Sequence, residues 1–332
     1  MQQTLQRPSR RSVTFALAAV AAGALGLPGS ASAQAWPSRP VRIIVAVPAG
    51  GPTDQLARLI GPRLTELWGQ PVIVENRPGA GQTIGTAAAA KAPPDGYTLL
   101  MTTNVFPVNP YLFDKLPYDP KNDFTAVTLV ATANLMLVVN PQLKVNTVQE
   151  LIAYAKANPG ALNFGSSGAS SSLRLAVELL QSSAGVKMTH IPFNGAAPLI
   201  TALVGGQVQL AVVDAAASKG QIDAGRLKAL AVTGANRSPI LPQLPTLAES
   251  GLPGYSAESW FGLLAPAGTP AAVVGKIQSD VAGVLKLPEV AASLRAHDET
   301  GIGNSPQEFA AFIESEGLKW GRIIRDNRIT AQ

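Results

Sequence analysis

The chain has 332 residues, a formal net charge of +5 and no cysteine. The lack of thiols excludes disulfides, thiolate metal sites and a cysteine nucleophile. Arg7, Arg10 and Arg11 supply three of the positive charges, and the rest of the chain carries only +5 − 3 = +2, which argues against a nucleic acid partner. A chain of this length buries enough surface to fold without disulfides and has room for two domains.

Residues 1–33 have the pattern of a secretory signal peptide. The three arginines precede an uncharged, apolar stretch at residues 13–27, and the small residues 31–33 then offer a cleavage site. The apolar stretch is too short to predict a membrane span. Cleavage after Ala33 would leave 332 − 33 = 299 residues. We therefore expect a periplasmic protein, exported either by general secretion or, because two arginines are adjacent, by the twin-arginine route.

Short runs rich in β-branched residues alternate with helical patterns along the chain. The first series predicts strands at 41–47, 72–75 and 97–102 and helices at 53–68 and 83–92. The second series predicts strands at 135–139, 162–164, 188–191, 208–213 and 229–233 and helices at 148–157, 171–183 and 197–203. This alternation is typical of mainly parallel sheets flanked by helices. We therefore expect two α/β lobes.

The C-terminal part of the chain predicts helices without a lobe of their own. An extended run at 259–264 precedes amphipathic helices at 270–285 and 305–326, which we expect to return to the first lobe. The chain would then cross between the lobes twice, near 135–140 and 258–264, and two crossings form a hinge. The expected domains are a signal peptide at 1–33, a discontinuous first lobe at 34–136 and 260–332, and a second lobe at 137–259.

A glycine-rich turn connects the first predicted strand to the first predicted helix. Residues 45–61 read VAVPAGGPTDQLARLIG. The N-terminus of a helix leaves about four amides without partners and carries roughly half a positive charge, so it can hold a carboxylate or a phosphate. The turn lacks the lysine of a phosphate-binding loop, which favours a carboxylate, although an ordinary turn capped by Thr53 or Asp54 stays possible. The candidate ligand residues here are Pro48, Ala49, Gly50, Gly51, Thr53 and Asp54.

A loop rich in serine and glycine repeats this arrangement in the second lobe. Residues 163–174 read NFGSSGASSSLR and run from a predicted strand into a predicted helix. Hydroxyls and amides would suit a polar ligand that faces the first loop across a cleft, whereas a flexible linker is the alternative. Arg174 opposes the helix dipole and either extends into solvent or, as we hypothesise, reaches a distal carboxylate of the ligand. The candidate residues are Ser166, Ser167, Gly168, Ala169, Ser170, Ser171 and Arg174.

Two further polar residues follow predicted strands. Asn104 comes shortly after the strand at 97–102, and Asp214 ends the apolar run at 208–213. Asp214 could point into a cleft or cap the segment that follows. Both residues complete the set of candidate ligand-binding residues.

Other patterns argue against catalysis. Residues 165–169, GSSGA, fall short of the G-x-S-x-G nucleophile elbow, and neither His190 nor His297 follows an acidic residue in a triad order. Two histidines without cysteine leave no recognisable metal-ligand spacing. In residues 79–85, GAGQTIG, the third glycine comes one position late for a dinucleotide fingerprint, so we interpret the segment as a turn. We expect no catalytic residue, no metal and no cofactor.

Six segments carry motifs of a known family. They are VPAGGPTD at 47–54, ENRPGAG at 75–81, PDGYTLL at 94–100, LPYDP at 116–120, HIPFNG at 190–195 and PAGTP at 266–270. Together they resemble the Bug family, the extracytoplasmic solute receptors of tripartite tricarboxylate transporters, over residues 36–329. The resemblance implies a two-lobed, type II periplasmic binding protein of the Venus flytrap kind, with a ligand carboxylate in its cleft.

The resemblance also implies how the ligand is held. In that family the loops that correspond to residues 48–54 and 165–172 bind the carboxylate through amides, hydroxyls and ordered water, so that no cation is needed. Ala169 and Ser170 stand where the family usually has Asn-Gly, and Arg174 stands where it usually has histidine. These differences leave the identity of the carboxylate open.

These patterns together predict a receptor rather than an enzyme. We expect a monomer that captures a small organic carboxylate by hinge closure and delivers it to the membrane permease subunits of a tripartite transporter. An orphan receptor that signals to a sensor and an exported enzyme that acts on a carboxylate are the alternatives.

Overall fold

The structure, a computed structural model, describes residues 36–168 and 171–330, without the side chains of residues 216 and 217. The chain divides into two compact units, Met1–Ser38 and Arg39–Gln332. The described part of the first unit, residues 36–38, forms no helix or strand, so every element below belongs to the second unit. The predicted signal peptide lies outside the described residues.

Strands and helices alternate along the second unit. The strands are β1 Val41–Val45, β2 Val72–Asn76, β3 Thr98–Thr103, β4 Phe124–Ala133, β5 Leu135–Val139, β6 Asn163–Ser166, β7 Thr189–Pro192, β8 Leu210–Asp214, β9 Lys228–Val232, β10 Ser259–Pro266 and β11 Glu299–Gly301. The helices are α1 Pro52–Trp68, α2 Thr83–Ala90, α3 Val105–Leu112, α4 Val148–Ala157, α5 Ser172–Ala184, α6 Ala196–Val204, α7 Ala215–Asp223, α8 Ala271–Leu285, α9 Pro288–Ala296 and α10 Pro306–Asp326. None of the described helices is both long and apolar enough to cross a membrane.

The strands form two sheets, as the two-lobed α/β prediction requires. The first sheet has the order β11-β4-β10-β3-β1-β2 and the second the order β7-β6-β8-β5-β9. Strands β1, β2 and β3 are parallel, and so are β6, β7 and β8. The remaining strands pair antiparallel, so the sheets are mixed where the sequence had indicated mainly parallel ones. The reason is that β4, β5 and β10 carry the chain between the sheets, and antiparallel neighbours need no helical crossover.

The chain passes between the sheets at two places. Asn134 alone separates β4 of the first sheet from β5 of the second. The return runs through residues 233–258 and enters the first sheet with β10. The first passage directly precedes the predicted crossing at 135–140, and the second ends where the predicted crossing at 258–264 begins. The lobe boundaries stay a prediction.

Each sheet has its own hydrophobic core. The first core includes Ile44, Trp260 and Phe309, and the second includes Phe164 and the strands β5 and β8. Helix α10, which the sequence assigns to the first lobe, contributes to both cores: Phe309 near its start packs in the first, and Trp320 further along packs in the second. A helix of this length extends about 30 Å, which is enough to contact both sheets.

Candidate ligand-binding site

The carboxyl ends of the parallel strands bring the candidate residues of each sheet to one edge. In the first sheet, Val45 of β1 pairs with Asn76 of β2 and Met101 of β3, so the loops that leave these three strands start side by side. In the second sheet, the parallel strands β6 and β8 end at Ser166 and Asp214. Ligands of open α/β sheets bind outside such carboxyl ends. Both groups of candidates therefore lie at positions suited to binding.

Asp54 stabilises the loop after β1 by hydrogen bonds. Its Oδ2 accepts a hydrogen bond from the amide of Gly50 at 2.9 Å, and its Oδ1 accepts one from Asn76 Nδ2 at 2.9 Å. Arg58 Nε donates to the same carboxylate at 3.0 Å. The Arg58 hydrogen bond is the largest cause that lowers the pKa of Asp54 to about 2, against the effect of burial. Asp54 is therefore ionised at neutral pH and is engaged by its own loop.

The same loop keeps other amide donors uncommitted. Helix α1 begins after Gly51, which caps it without a side-chain hydrogen bond. Within residues 36–168 and 171–330, no acceptor is in hydrogen-bond range of the amides of Ala49, Gly51 or Thr53. Pro48, Ala49 and Gly50 are exposed, whereas Thr53 is buried. The loop thus presents amide donors and the positive end of a helix dipole without any lysine or arginine of its own.

The loop after β2 forms a third part of this edge. Ala80 and Gln82 have φ angles of 46° and 71°, in the left-handed region that side chains rarely adopt. Gln82 Nε2 donates to Thr103 Oγ1, at the end of β3, at 3.0 Å. The sequence correctly indicated a turn here but did not identify Gln82. Left-handed backbone at two non-glycine residues is a sign of functional constraint that no pattern in the sequence revealed.

Asn104 connects the two groups of candidates. It is 6% exposed and lies at the N-terminus of α3, where its side chain makes no capping hydrogen bond. Asn104 and Ser172, the first residue of α5, line one narrow crevice together with Leu175 and Trp320. The carboxyl edge of the first sheet therefore meets the start of α5, which follows the second loop.

A buried serine stabilises the loop after β6 through hydrogen bonds. Ser166 is fully buried, and its Oγ donates to the carbonyl oxygen of Gly168 at 2.8 Å. The same Oγ lies 2.7 Å from His190 Nε2 on the neighbouring strand β7. Ser166 therefore stabilises the conformation of the loop and is not part of its exposed surface.

The other residues of this loop differ in their roles. Ser171 is the N-cap of α5, because its Oγ accepts a hydrogen bond from the amide of Arg174 at 3.3 Å. Ser167 is partly exposed, and within the described parts of the chain its hydroxyl has no hydrogen-bond partner. Ala169 and Ser170 lie outside the described residues. Among Ser166, Ser167 and Ser171, Ser167 is therefore the residue whose hydroxyl is available to a ligand.

Arg174 does not extend into solvent. Its side chain is 14% exposed, and its Nε donates to Glu178 Oε1 at 3.3 Å, one turn along α5. Gln181 Nε2 donates to the second carboxylate oxygen of Glu178 at 2.8 Å. Burial raises the pKa of Glu178, and Arg174 opposes that rise. The pairing offsets the unfavourable position of Arg174 in the first turn of a helix.

Asp214 lies at the end of β8 and precedes α7. It occupies the N-cap position, but its side chain makes no capping hydrogen bond, and Ser218 Oγ instead donates to its backbone oxygen at 3.0 Å. Burial raises the pKa of the Asp214 carboxyl. The cap predicted as one alternative for this side chain is thus not formed.

The Ser166 and His190 pair does not form a hydrolase site. Ser166 is fully buried, so a substrate carbonyl has no access to its Oγ. No carboxylate among the described residues hydrogen-bonds His190, whose ring packs against Phe164 at 5.0 Å between centroids. Burial, with a smaller contribution from Arg174, lowers the pKa of His190 to about 4, so it is a neutral imidazole at pH 7. The sequence had not indicated this pair, because its partners lie on different strands.

Comparison with known proteins places this geometry in a family. The family model described as "Tripartite tricarboxylate transporter family receptor" matches residues 56–329. The structure of R. palustris Rpa4515 with adipate is similar to this chain with a TM-score of 0.78 and 38% identity, covering 89% of this chain and 99% of the other. The periplasmic binding protein BugD is similar with a TM-score of 0.75 and 32% identity, covering 90% of this chain and 100% of the other.

A second carboxylate complex shares the fold. MatC (Rpa3494) from Rhodopseudomonas palustris, with bound malate, has a TM-score of 0.74 and 32% identity, covering 87% of this chain and 100% of the other. The matched family is described as a receptor family, and BugD is described as a periplasmic binding protein. The resemblance to the Bug family is confirmed. This chain belongs to the tripartite tricarboxylate transporter receptor family.

Proposed function

We propose that this protein is a periplasmic receptor for a small organic carboxylate, with a dicarboxylate as its preferred ligand. The observation that carries the proposal is the set of uncommitted amides at Ala49, Gly51 and Thr53, in a loop that contains no cation. A carboxylate suits such donors, because each oxygen accepts two hydrogen bonds and the helix dipole favours its charge. The similar structures that contain adipate and malate support a dicarboxylate.

The second carboxylate of the ligand would bind at the loop after β6. Ser167 offers a hydroxyl there, and the first turn of α5 offers further amides. Asn104 and Ser172 line one narrow crevice, so the start of α5 lies next to the carboxyl edge of the first sheet, which supports a ligand that contacts both edges from outside it. A receptor built in this way distinguishes acids by the distance between their carboxylates more than by their side chains.

Closure of two lobes about a hinge would trap the ligand. The single residue Asn134 between β4 and β5 and the return through residues 233–258 support lobes at 34–136 with 260–332 and at 137–259. A ligand that contacts both lobes stabilises the closed state in proportion to its difference in affinity for the two states. The closed surface would be recognised by the permease subunits of a tripartite transporter, which the family description implies. We propose that the receptor acts as a monomer and carries out no reaction.

Two matched glycines provide the test. Gly50 in the ligand loop and Gly69 at the other end of α1 have φ angles of +90° and +63°, and no atom lies within 4 Å of the position of an added Cβ at either site. Gly50→Ala and Gly69→Ala therefore both introduce backbone strain without a steric clash, of about 1 kcal/mol at Gly69 and somewhat more at Gly50, whose φ lies further from the left-handed region. Calorimetric titration with adipate and malate would compare the two variants with the unaltered protein.

We expect Gly50→Ala to weaken binding at least tenfold, because the amide of Gly51 moves with the loop. Gly69→Ala should leave binding unchanged. Equal affinities in all three proteins would contradict the assignment of this loop. Turnover of either acid, rather than binding, would instead establish the enzymatic alternative.

A further inference from the structure

His190 and Ser166 form a polar contact that reaches from one strand into the next loop. The two residues lie on the parallel neighbours β7 and β6, and His190 Nε2 lies 2.7 Å from Ser166 Oγ. Ser166 Oγ also lies 2.8 Å from the carbonyl oxygen of Gly168 and 3.4 Å from its amide nitrogen. A single hydroxyl therefore has three partners.

The number of protons on these groups assigns the direction of every hydrogen bond. A carbonyl oxygen only accepts, so the one proton of Ser166 Oγ points to Gly168. The amide of Gly168 only donates, and it donates to Ser166 Oγ. His190 Nε2 must then donate as well, because Ser166 has no second proton to give. His190 therefore carries a proton on Nε2. Two forms have this proton, the neutral tautomer with an unprotonated Nδ1 and the imidazolium.

The histidine is in the neutral form near pH 7. Burial and the nearby Arg174 guanidinium lower its pKa to about 4. Arg174 lies on α5 and pairs there with Glu178 at 3.3 Å. No other titratable side chain within the described part of the chain contributes to this shift.

These bonds continue into the start of α5. Gly168 is held at both its amide and its carbonyl by Ser166, and its carbonyl also accepts the amide of Ser171 at 3.2 Å. Ser171 in turn caps α5 at the amide of Arg174. A continuous series of hydrogen bonds thus runs from His190 beneath the loop to the first turn of the helix.

We propose that His190 is a positioning residue for ligand binding, whose Nε2–H holds Ser166 and thereby sets the direction of the amides of Gly168 and of the first turn of α5. This inference rests on the proposed function, since the loop is assigned there to the ligand. His190 itself does not contact the ligand. On this geometry, the shape of the loop depends on a residue outside the loop, on the neighbouring strand β7.

The test compares His190→Leu, which has no donor, with His190→Gln, which retains a side-chain N–H. The exposed His297, whose Nδ1 lies 2.9 Å from the backbone oxygen of Ser293, provides the control His297→Leu. With adipate and malate as probes, we expect His190→Leu to weaken binding at least tenfold. His190→Gln should remain within about threefold of the unaltered protein, and His297→Leu should equal it. Equal weakening by both His190 variants would overturn the role assigned to the donor.

Two readouts do not depend on the ligand. The ¹⁵N shifts of His190 should report the Nε2–H tautomer at pH 7, and a proton on Nδ1 alone would overturn the assignment. Hydrogen exchange at the amides of Gly168 and Ser171 should be at least tenfold faster in His190→Leu than in His190→Gln. If neither acid binds the unaltered protein, the proposed function fails, whereas the exchange and tautomer measurements still decide whether His190 positions the loop.

Discussion

The amide of Gly50 donates a 2.9 Å hydrogen bond to the carboxylate of Asp54, four residues along the chain. One donor of the candidate ligand loop is thus satisfied by a carboxylate of the same chain, whereas the neighbouring amides of Ala49 and Gly51 make no hydrogen bond within the described residues. Because Arg58 and Asn76 hold the same carboxylate, the loop has a fixed shape before any ligand arrives. Preorganised donors of this kind reduce the ordering that binding must otherwise supply.

Replacement of Asp54 by asparagine should loosen the loop. All three partners of the carboxylate are donors, so the new amide group would place N–H groups against N–H groups. We expect a loss of about 2 kcal/mol in the free energy of unfolding and weaker binding of adipate. Urea denaturation and calorimetry would measure both effects.

Asp223 provides the control for this variant. It pairs with Lys219 at 2.7 Å on the surface, where its side chain is 59% exposed. Asp223→Asn should change the free energy of unfolding by less than about 0.5 kcal/mol. Equal losses in the two variants would show that Asp54 has no special role in the loop.

Glu299 should make the stability depend on pH in the neutral range. Its pKa is raised from 4.5 to about 7, mainly by burial; His297 opposes the rise, and Asp214 adds a smaller contribution to it. The folded state then binds a proton more tightly than the unfolded state. The stabilising effect is fully present below pH 4.5 and is lost as the pH rises through about 7, at a cost of about 3 kcal/mol.

Glu299→Gln tests this assignment, because glutamine keeps the shape of the protonated acid. The difference in unfolding free energy between this variant and the unaltered protein should grow in favour of the variant between pH 5 and pH 8. A difference that stays constant over that range would contradict the raised pKa of Glu299.

Arg174→Ala should reduce stability, because it leaves the carboxylate of Glu178 buried without its cation. We expect a loss of about 3 kcal/mol in the free energy of unfolding, of which the double variant Arg174→Ala with Glu178→Ala recovers a part.

The hypothesis that Arg174 contacts the ligand makes a separate prediction about affinity. The double variant Arg174→Ala with Glu178→Ala would be compared with the unaltered protein for two ligands, adipate and a monocarboxylate of the same length. If Arg174 contacts the distal carboxylate, the double variant should lose more affinity for adipate than for the monocarboxylate. Equal losses for the two ligands would reject the contact.

Glycine 85 should tolerate no side chain. A Cβ at Gly85 would lie 2.7 Å from the backbone oxygen of Arg77 and 2.8 Å from the Cβ of Ala46, so Gly85→Ala should cost about 1–3 kcal/mol. Gly275 in α8 has no atom within 4 Å of such a Cβ, and Gly275→Ala should stabilise the protein by about 0.5–1 kcal/mol. Thermal unfolding would show shifts of opposite sign, and shifts of the same sign would contradict the packing at Gly85.

Periodic patterns in the sequence predicted most of the sheets and helices but not all. Strand β5 and helix α4 have the predicted bounds, because an apolar run and a capped amphipathic helix mark them clearly. Strand β4 and helix α3 were not predicted. Helix α3 contains Pro107 and Pro110, which ordinarily indicate a loop, and β4 pairs along its length with strands that lie far away in the sequence.

In the candidate site too, the sequence predicted the local features but not the contacts between distant residues. The sequence correctly predicted that the two candidate loops lie between a strand and a helix, because glycine and serine there are a local signal. It did not reveal the contacts of Asp54 with Asn76, of Ser166 with His190, or of Gln82 with Thr103. Each of these contacts joins residues at least 21 positions apart, where only the fold determines which side chains meet.

Thermal unfolding with paired ligands tests the central claim most directly. The purified protein, unfolded and refolded to remove retained ligand, would be heated with adipate, malate and adipamide, which has the length of adipate but no charge. Adipate or malate at 100 times its dissociation constant should add about 2.7 kcal/mol and raise the melting temperature by several degrees, whereas adipamide should not. Equal shifts with adipate and adipamide, or no shift with either acid, would contradict a dicarboxylate receptor.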